Sequence, residues 1–165
     1  MNSVASVVKV GIADIKYATL PQTLRTSGLG SCVGVVLFDD KTKVAGMAHI
    51  MLPDSSMSKE VPKNVAKYAD TAIPELYKVI KQKGAHTFAL KAKIAGGAQM
   101  FPFSTSNEMM RIGPRNVEAV KEALKLYRIP IVAEDCGGNS GRTIEFHLDT
   151  AVLHIRTVNK GVSEI

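Results

Sequence analysis

The sequence has no tryptophan, only two cysteines and an aromatic content of 5%. It also has no apolar run approaching the roughly 18 residues that a membrane span needs. Its start, Met1-Asn2-Ser3-Val4-Ala5-Ser6, lacks the charged stretch and apolar core of a signal peptide. A cytoplasmic protein with no membrane insertion is expected, its two thiols reduced rather than bridged. No basic block is present either. The net charge of +6 is spread along the chain, without a recognised motif or a basic stripe interleaved with aromatics, so nucleic-acid binding is not expected. The positive balance suits an acidic macromolecular partner, or a solvated basic surface without a partner.

What is present is a globular composition, 45% hydrophobic and 22% charged over 165 residues. That is enough for one domain with a true core and too little for two ordinary ones, so residues 1–165 are read as a single domain. Apolar runs at 7–13 and 22–27 suggest strands, as do 32–38 and 44–52, which flank the polar turn Asp39-Asp40-Lys41-Thr42-Lys43. Residues 53–63 and 102–111 read as polar surface loops. A helix is expected over 65–83, with Ala69, Ala72, Ile73, Leu76 and Ile80 as its buried stripe and Gly84 as its stop. Pro74 should kink or restart it. A second helix begins at Gly113-Pro114 and buries Val117, Val120, Leu124 and Tyr127. Further strands are expected at 87–95 and 129–134, with a last hairpin at 142–148 and 152–158. Two helices against about seven strands indicate an α+β domain with a mixed sheet or two packed sheets.

The chemistry concentrates at Cys32 and His49. A thiol and an imidazole that can meet are the minimum parts of a cysteine hydrolase. A four-residue turn from Asp39 to Thr42 would pair Phe38 with Lys43 and set Cys32 directly opposite His49. Directly opposed side chains share a face with Cβ atoms about 4.5–5.5 Å apart. A five-residue turn would shift the register by one and turn one of the two away. His49 could then accept the thiol proton and return it to a leaving amine. Thr26 is the nearby group able to hold the ring, with Asp39, Asp40 and Asp54 as carboxylate competitors. Gly28 and Gly30, with Ser31 beside them, could aim main-chain N–H groups at an oxyanion. Gly96-Gly97 and Gly137-Gly138 could wall the same cleft.

Other readings compete. A buried cysteine is more often an inert small hydrophobe, and a lone strand histidine is more often structural. Gly28-Leu29-Gly30-Ser31 lacks the Gly-Lys-Ser/Thr that a phosphate loop requires. Cys32, His49, Cys136 and His147 could in principle ligate a metal, but none has the short paired spacing of a metal site, and no metal or cofactor is expected.

Several segments together carry a resemblance. They are Ser27-Gly28-Leu29-Gly30-Ser31-Cys32-Val33-Gly34, Met47-Ala48-His49-Ile50-Met51-Leu52-Pro53, Lys67-Tyr68-Ala69-Asp70, Lys93-Ile94-Ala95-Gly96-Gly97-Ala98, Ile112-Gly113-Pro114-Arg115-Asn116 and Glu134-Asp135-Cys136-Gly137-Gly138-Asn139. In this order they resemble the CheD family, the chemoreceptor glutamine deamidases of bacterial and archaeal chemotaxis. The resemblance implies a catalytic Cys, His and Thr at Cys32, His49 and Thr26. It implies a layered α/β fold with a β-sandwich core, related to a cysteine-deamidase toxin domain. It also implies conversion of glutamines of methyl-accepting chemotaxis receptors to glutamates with release of ammonia, a CheC-type phosphatase as regulatory partner, and association with receptor arrays. Cys136, where threonine is as readily expected, is a minor departure. A non-catalytic receptor adaptor or phosphatase-activating module is the alternative.

Overall fold

The computed structural model of the protein describes residues 6–59, 64–100 and 111–165. Within them lie ten strands and two α-helices, numbered here in chain order. One five-stranded sheet runs in the order β1 (Val7–Lys9), β3 (Thr23–Leu29), β8 (Arg142–His147), β9 (Val152–Thr157) and β10 (Gly161–Glu164). The other runs β2 (Ile15–Thr19), β5 (Val44–Ile50), β4 (Val33–Asp39), β6 (Leu90–Gly96) and β7 (Ile131–Cys136). Both sheets are mixed, with β1 parallel to β3 and β6 parallel to β7. The helices are α1 (Ala69–Gln82) and α2 (Ile112–Leu126).

The expected α+β class holds, and the burial pattern explains its layering. Leu24, Leu29, Ile144 and Phe146 of the first sheet pack against Val36, Phe38 and Met47 of the second, with the Phe38 and Phe146 ring centroids 4.9 Å apart. The opposite face of the second sheet, including Val33, Val35, Leu37 and Ile50, is covered by Ile73, Leu76 and Ile80 of α1 and Val120 and Leu124 of α2. The second sheet is therefore covered on both faces. This is why β4 and β5 read as continuous apolar runs, whereas β8, with one face to the core, alternates.

The hairpin register differs from the sequence expectation. Asp39 pairs with Val44 and Gly34 with His49, so the turn is 40–43 and Cys32 is not directly opposed to His49. The cause is Asp39, which looks like a turn residue but is buried in the strand. Its Oδ1 accepts the N–H groups of Lys41 and Thr42 at 2.9 and 3.4 Å, and its Oδ2 accepts that of His86 at 2.9 Å. With its carboxylate thus satisfied, burial is tolerable and the strand runs one residue further. The slip is two places, an even number, so Cys32 and His49 keep the same face and become diagonal neighbours.

Other boundaries moved as well. The apolar run at 7–13 yields only the short β1, and β2 and β10 had no counterpart in the sequence reading. Residues Thr87–Ala89 form a turn of 3-10 helix before β6 begins. α1 starts at Ala69, not 65, and continues through Pro74 as one helix. The proline ring deletes a single ladder bond, whose acceptor would be the carbonyl of Asp70 on the exposed side of the first turn. The loop expected at 102–111 lies outside the described residues except for Arg111, as does 60–63 of the loop expected at 53–63.

Backbone also approaches closely at β6. Gly96 has φ 115°, and a Cβ there would lie inside the contact distance of the Cys32 carbonyl oxygen. Gly84 also has positive φ, 106°, but faces open space. Gly84→Ala should cost about 1–2 kcal/mol, the left-handed penalty alone. Gly96→Ala should cost at least about 1–3 kcal/mol more, because backbone atoms must also move. Urea unfolding of the two variants measures the difference.

Candidate active site

Thr26 lies on β3 in the first sheet, and His49 lies on β5 in the second. Both side chains are buried in the gap between the sheets, and Thr26 Oγ1 is 2.7 Å from His49 Nδ1. The same hydroxyl lies 2.8 Å from the carbonyl oxygen of Val10. A hydroxyl has one proton, and a carbonyl can only accept. Thr26 therefore donates to Val10 and accepts from Nδ1–H, which makes both contacts favourable. His49 is thereby held as the tautomer protonated on Nδ1, leaving Nε2 with a free lone pair. Nε2 is buried and has no hydrogen-bond partner among the described residues. The backbone of His49 is held too, since its N–H donates to the carbonyl of Asp14 and its own carbonyl accepts from Ala13.

Cys32 sits one residue before β4, half-buried against the core between the sheets. Gly34, two residues on, is the position directly across from His49. A side chain there would collide with Ile144 Cδ1 at 2.6 Å and crowd Leu29 Cδ1 at 3.2 Å. Glycine thus lets the two sheets close on each other between the thiol and the imidazole. The sulfur is not the hydrogen-bond partner of Nε2 in this resting arrangement.

The electrostatics agree with an uncharged resting pair. Burial pushes the Cys32 thiol above its ordinary value, and its own backbone N–H pulls in the other direction. Burial pushes His49 below its ordinary value. Neither shift favours a standing thiolate–imidazolium pair. Cys136 is pushed up to about 11, first by burial and then by Glu134.

The glycines around Cys32 mainly hold its backbone. Gly28, at φ 74°, lies in the irregularity of β3 between Thr26 and Leu29. The N–H of Gly30 goes to the carbonyl of Gly28, that of Gly97 to the carbonyl of Cys32, and that of Ala98 to the carbonyl of Gly30. Gly30 and Gly97 therefore have no free N–H for an oxyanion and act as walls. Gly96 is a wall for the same reason of proximity, and its carbonyl accepts from Gly137. Among the described residues no backbone carbonyl accepts the N–H of Ser31 or Cys32, and the Cys32 N–H faces its own sulfur. Asp39 and Asp40 lie at the far end of the hairpin, and Asp54 accepts from Ser56 N–H at 2.8 Å. Among the described residues no three potential ligands are grouped to hold a metal ion. His147, one of the four weighed for that role, rings against His154 instead.

Sequence reasoning placed Thr26 near the site but not on the opposite sheet, and it had no means of finding the Val10 carbonyl. It also passed over Asn116 as a side chain. This residue is fully buried on α2, and its amide donates to the carbonyls of Ser31 at 3.0 Å and Met51 at 2.9 Å. Its position in the segment Gly113-Pro114-Arg115-Asn116, a polar residue among the buried ones of the helix, was the available signal.

Comparison with known proteins bears on what this arrangement is for. A family model described as CheD chemotactic sensory transduction matches residues 51–157. The chemoreceptor glutamine deamidase CheD of Bacillus subtilis (strain 168) is 56% identical over 161 residues, which cover 98% of this chain and 97% of that protein. This chain belongs to the CheD family. The CheD of Halalkalibacterium halodurans is 62% identical over 159 residues, 96% of this chain and 98% of its own. A probable chemoreceptor glutamine deamidase CheD of Geobacillus kaustophilus is 56% identical over 164 residues, 99% of each chain. The family match begins after His49, whereas these near full-length alignments take in the Thr26, Cys32 and His49 positions. Among the described residues no helix is long and apolar enough to cross a membrane.

The neutral, Thr26-bound imidazole has a measurable signature. Nitrogen-15 spectra should show His49 protonated at Nδ1 only, with a pKa below the ordinary value of about 6.5. Since the folded state resists protonation of His49, the unfolded chain takes up that proton first. The stability this group contributes is present above about pH 6.5 and is lost as pH falls through the depressed folded value. Melting temperature measured from pH 7 to 5 should fall less steeply for His49→Gln than for the native protein.

Proposed function

We propose that this protein deamidates glutamine side chains of chemoreceptors, with Cys32 as nucleophile, His49 as general base and acid, and Thr26 as the group that orients the imidazole. The observation that carries this reading is the bare, buried Nε2 of His49, held by Thr26 on the same face of the sheet as a half-buried thiol. Membership of the CheD family supplies the substrate class.

In this scheme Nε2 takes the Cys32 proton as the sulfur attacks the side-chain amide carbon of glutamine. The carbonyl oxygen becomes an oxyanion facing the N–H groups of Ser31 and Cys32. The C–N bond then breaks, the imidazolium returns its proton to the departing nitrogen, and ammonia leaves behind a thioester. Water, deprotonated by Nε2, attacks the thioester; the carboxylate of glutamate forms and the thiol is restored. The Cys–His contact left open at rest closes when substrate seats, as catalytic hydrogen bonds often do only in the complex.

Thr26 fits this role better than a carboxylate would. A hydroxyl fixes the tautomer while stabilising the imidazolium less than a carboxylate would, which matches a histidine whose pKa burial has lowered. A hollow lined by Lys9, Val10, Arg25, Thr26 and Ser27 opens beside it, and its two cations suit an acid-rich receptor surface. The family reading extends to a CheC-type phosphatase as regulatory partner and to a place at receptor arrays in the cytoplasm.

Cys32→Ala and His49→Ala should each lower ammonia release from purified receptor by at least about 1,000-fold with the fold retained, since each removes a member of one catalytic unit. Thr26→Val should cost about 1–3 kcal/mol of stability by stranding buried Nδ1–H and should lower kcat more than it raises KM. The acid limb of kcat should lie below about pH 6.5, where His49 loses its lone pair. Full chemotactic adaptation in cells carrying Cys32→Ala would favour the adaptor reading and end the catalytic one.

A further inference from the structure

The antiparallel ladder between β4 and β5 ends at the Val33–Ile50 pair, just short of the candidate nucleophile. Beyond it the two chains separate, β4 backward into the turn that holds Cys32 and β5 forward toward Leu52. The side-chain amide of Asn116 occupies the gap. One Nδ2 proton goes to the carbonyl of Ser31 and the other to the carbonyl of Met51. Asn116 comes from a helix some 65 residues and more away in sequence, so no local turn chemistry accounts for it. Its Oδ1 is buried with no partner among the described residues, although a buried amide oxygen normally has one.

The Ser31 carbonyl belongs to the same peptide unit as the Cys32 N–H. A trans peptide is planar, and its C=O and N–H point in opposite directions. Holding the carbonyl at 3.0 Å therefore fixes where the Cys32 N–H points. That N–H is one of the two left without a carbonyl acceptor among the described residues. A hydrogen bond accepted by the carbonyl also polarises the peptide and makes its N–H a better donor.

We propose that Asn116 is a positioning residue for acyl transfer: its amide locks the Ser31–Cys32 peptide so that the Cys32 N–H serves as the oxyanion donor. It acts through that peptide and does not touch substrate. The inference rests on the deamidase reading for its biological meaning, but the oxyanion geometry is testable without receptor.

The test compares two reactions of the same thiol. Acylation by 4-nitrophenyl acetate passes through a tetrahedral oxyanion. Alkylation by iodoacetamide is a direct displacement at carbon and forms none. Labelling at Cys32 is followed by peptide mass spectrometry, with Cys32→Ala as background, in native protein, Asn116→Ala and the similarly sized Asn116→Leu. Loss of one oxyanion donor lowers kcat about 100- to 1,000-fold in a known hydrolase, so a misdirected donor should lower acylation about 10- to 100-fold. Alkylation and its pH profile should stay within about two-fold in at least one variant. Equal loss of both reactions in both variants would mean that Asn116 merely supports the loop, and unchanged acylation would mean that it does not set the donor; either result overturns the proposal. Receptor deamidation by the native protein is measured in parallel. Its absence, with the acylation difference intact, would count against the deamidase reading and leave the positioning role standing.

Discussion

A single hydrogen bond between Thr26 and His49 crosses from one sheet to the other, and the site depends on it. Such a bond is worth only about 1 kcal/mol in net stability. Its importance lies in what it decides: which ring nitrogen carries the proton. Because the hydroxyl has already given its proton to Val10, it can only accept from the ring. The bare lone pair at Nε2 is thus set by three residues on three separate stretches of chain. None of the three would have this effect in an isolated hairpin, since the sandwich must close before β3 and β5 can meet.

The closing of the sandwich is in turn a matter of small residues. Gly34 leaves space that Ile144 and Leu29 fill from the other sheet, and Gly96 leaves space that the Cys32 carbonyl fills from the neighbouring strand. The carbonyls of Gly28, Gly30 and Cys32 each accept a backbone N–H from the surrounding loops. The turn that holds Cys32 is therefore held by its acceptors, while among the described residues no backbone carbonyl accepts the N–H of Ser31 or Cys32. Rigid acceptors and unspent donors are what an oxyanion site requires, because donors that must first break other bonds gain less on reaction.

Much of this could be read in advance, in proportion to how local each feature is. The apolar stripe of α1 was visible because Ala69, Ala72, Ile73, Leu76 and Ile80 repeat at helical spacing, and all five are buried. The last hairpin, expected at 142–148 and 152–158, is present as β8 and β9. The register of the central hairpin was misjudged because a carboxylate suggests a turn. Asp39 instead enters the core by spending its oxygens on the backbone of Lys41, Thr42 and His86, the last of which is remote in sequence. The shared face of Cys32 and His49 survived the error because side-chain direction in a strand depends on parity, and the displacement was even.

The amino-acid order by itself determined the class of fold, the face on which the thiol and imidazole lie, and the family to which the chain belongs. Each of these follows from periodicity or from short segments, and these are properties of neighbours along the chain. Tertiary structure alone decided the tautomer of His49, the direction of the Cys32 N–H and the contacts of Asn116. Those depend on hydrogen bonds between groups 16 to 85 residues apart. A hydrogen bond needs a donor and an acceptor placed to within a fraction of an ångström, and no pattern along a sequence specifies distance that finely until two sheets and a helix have packed together.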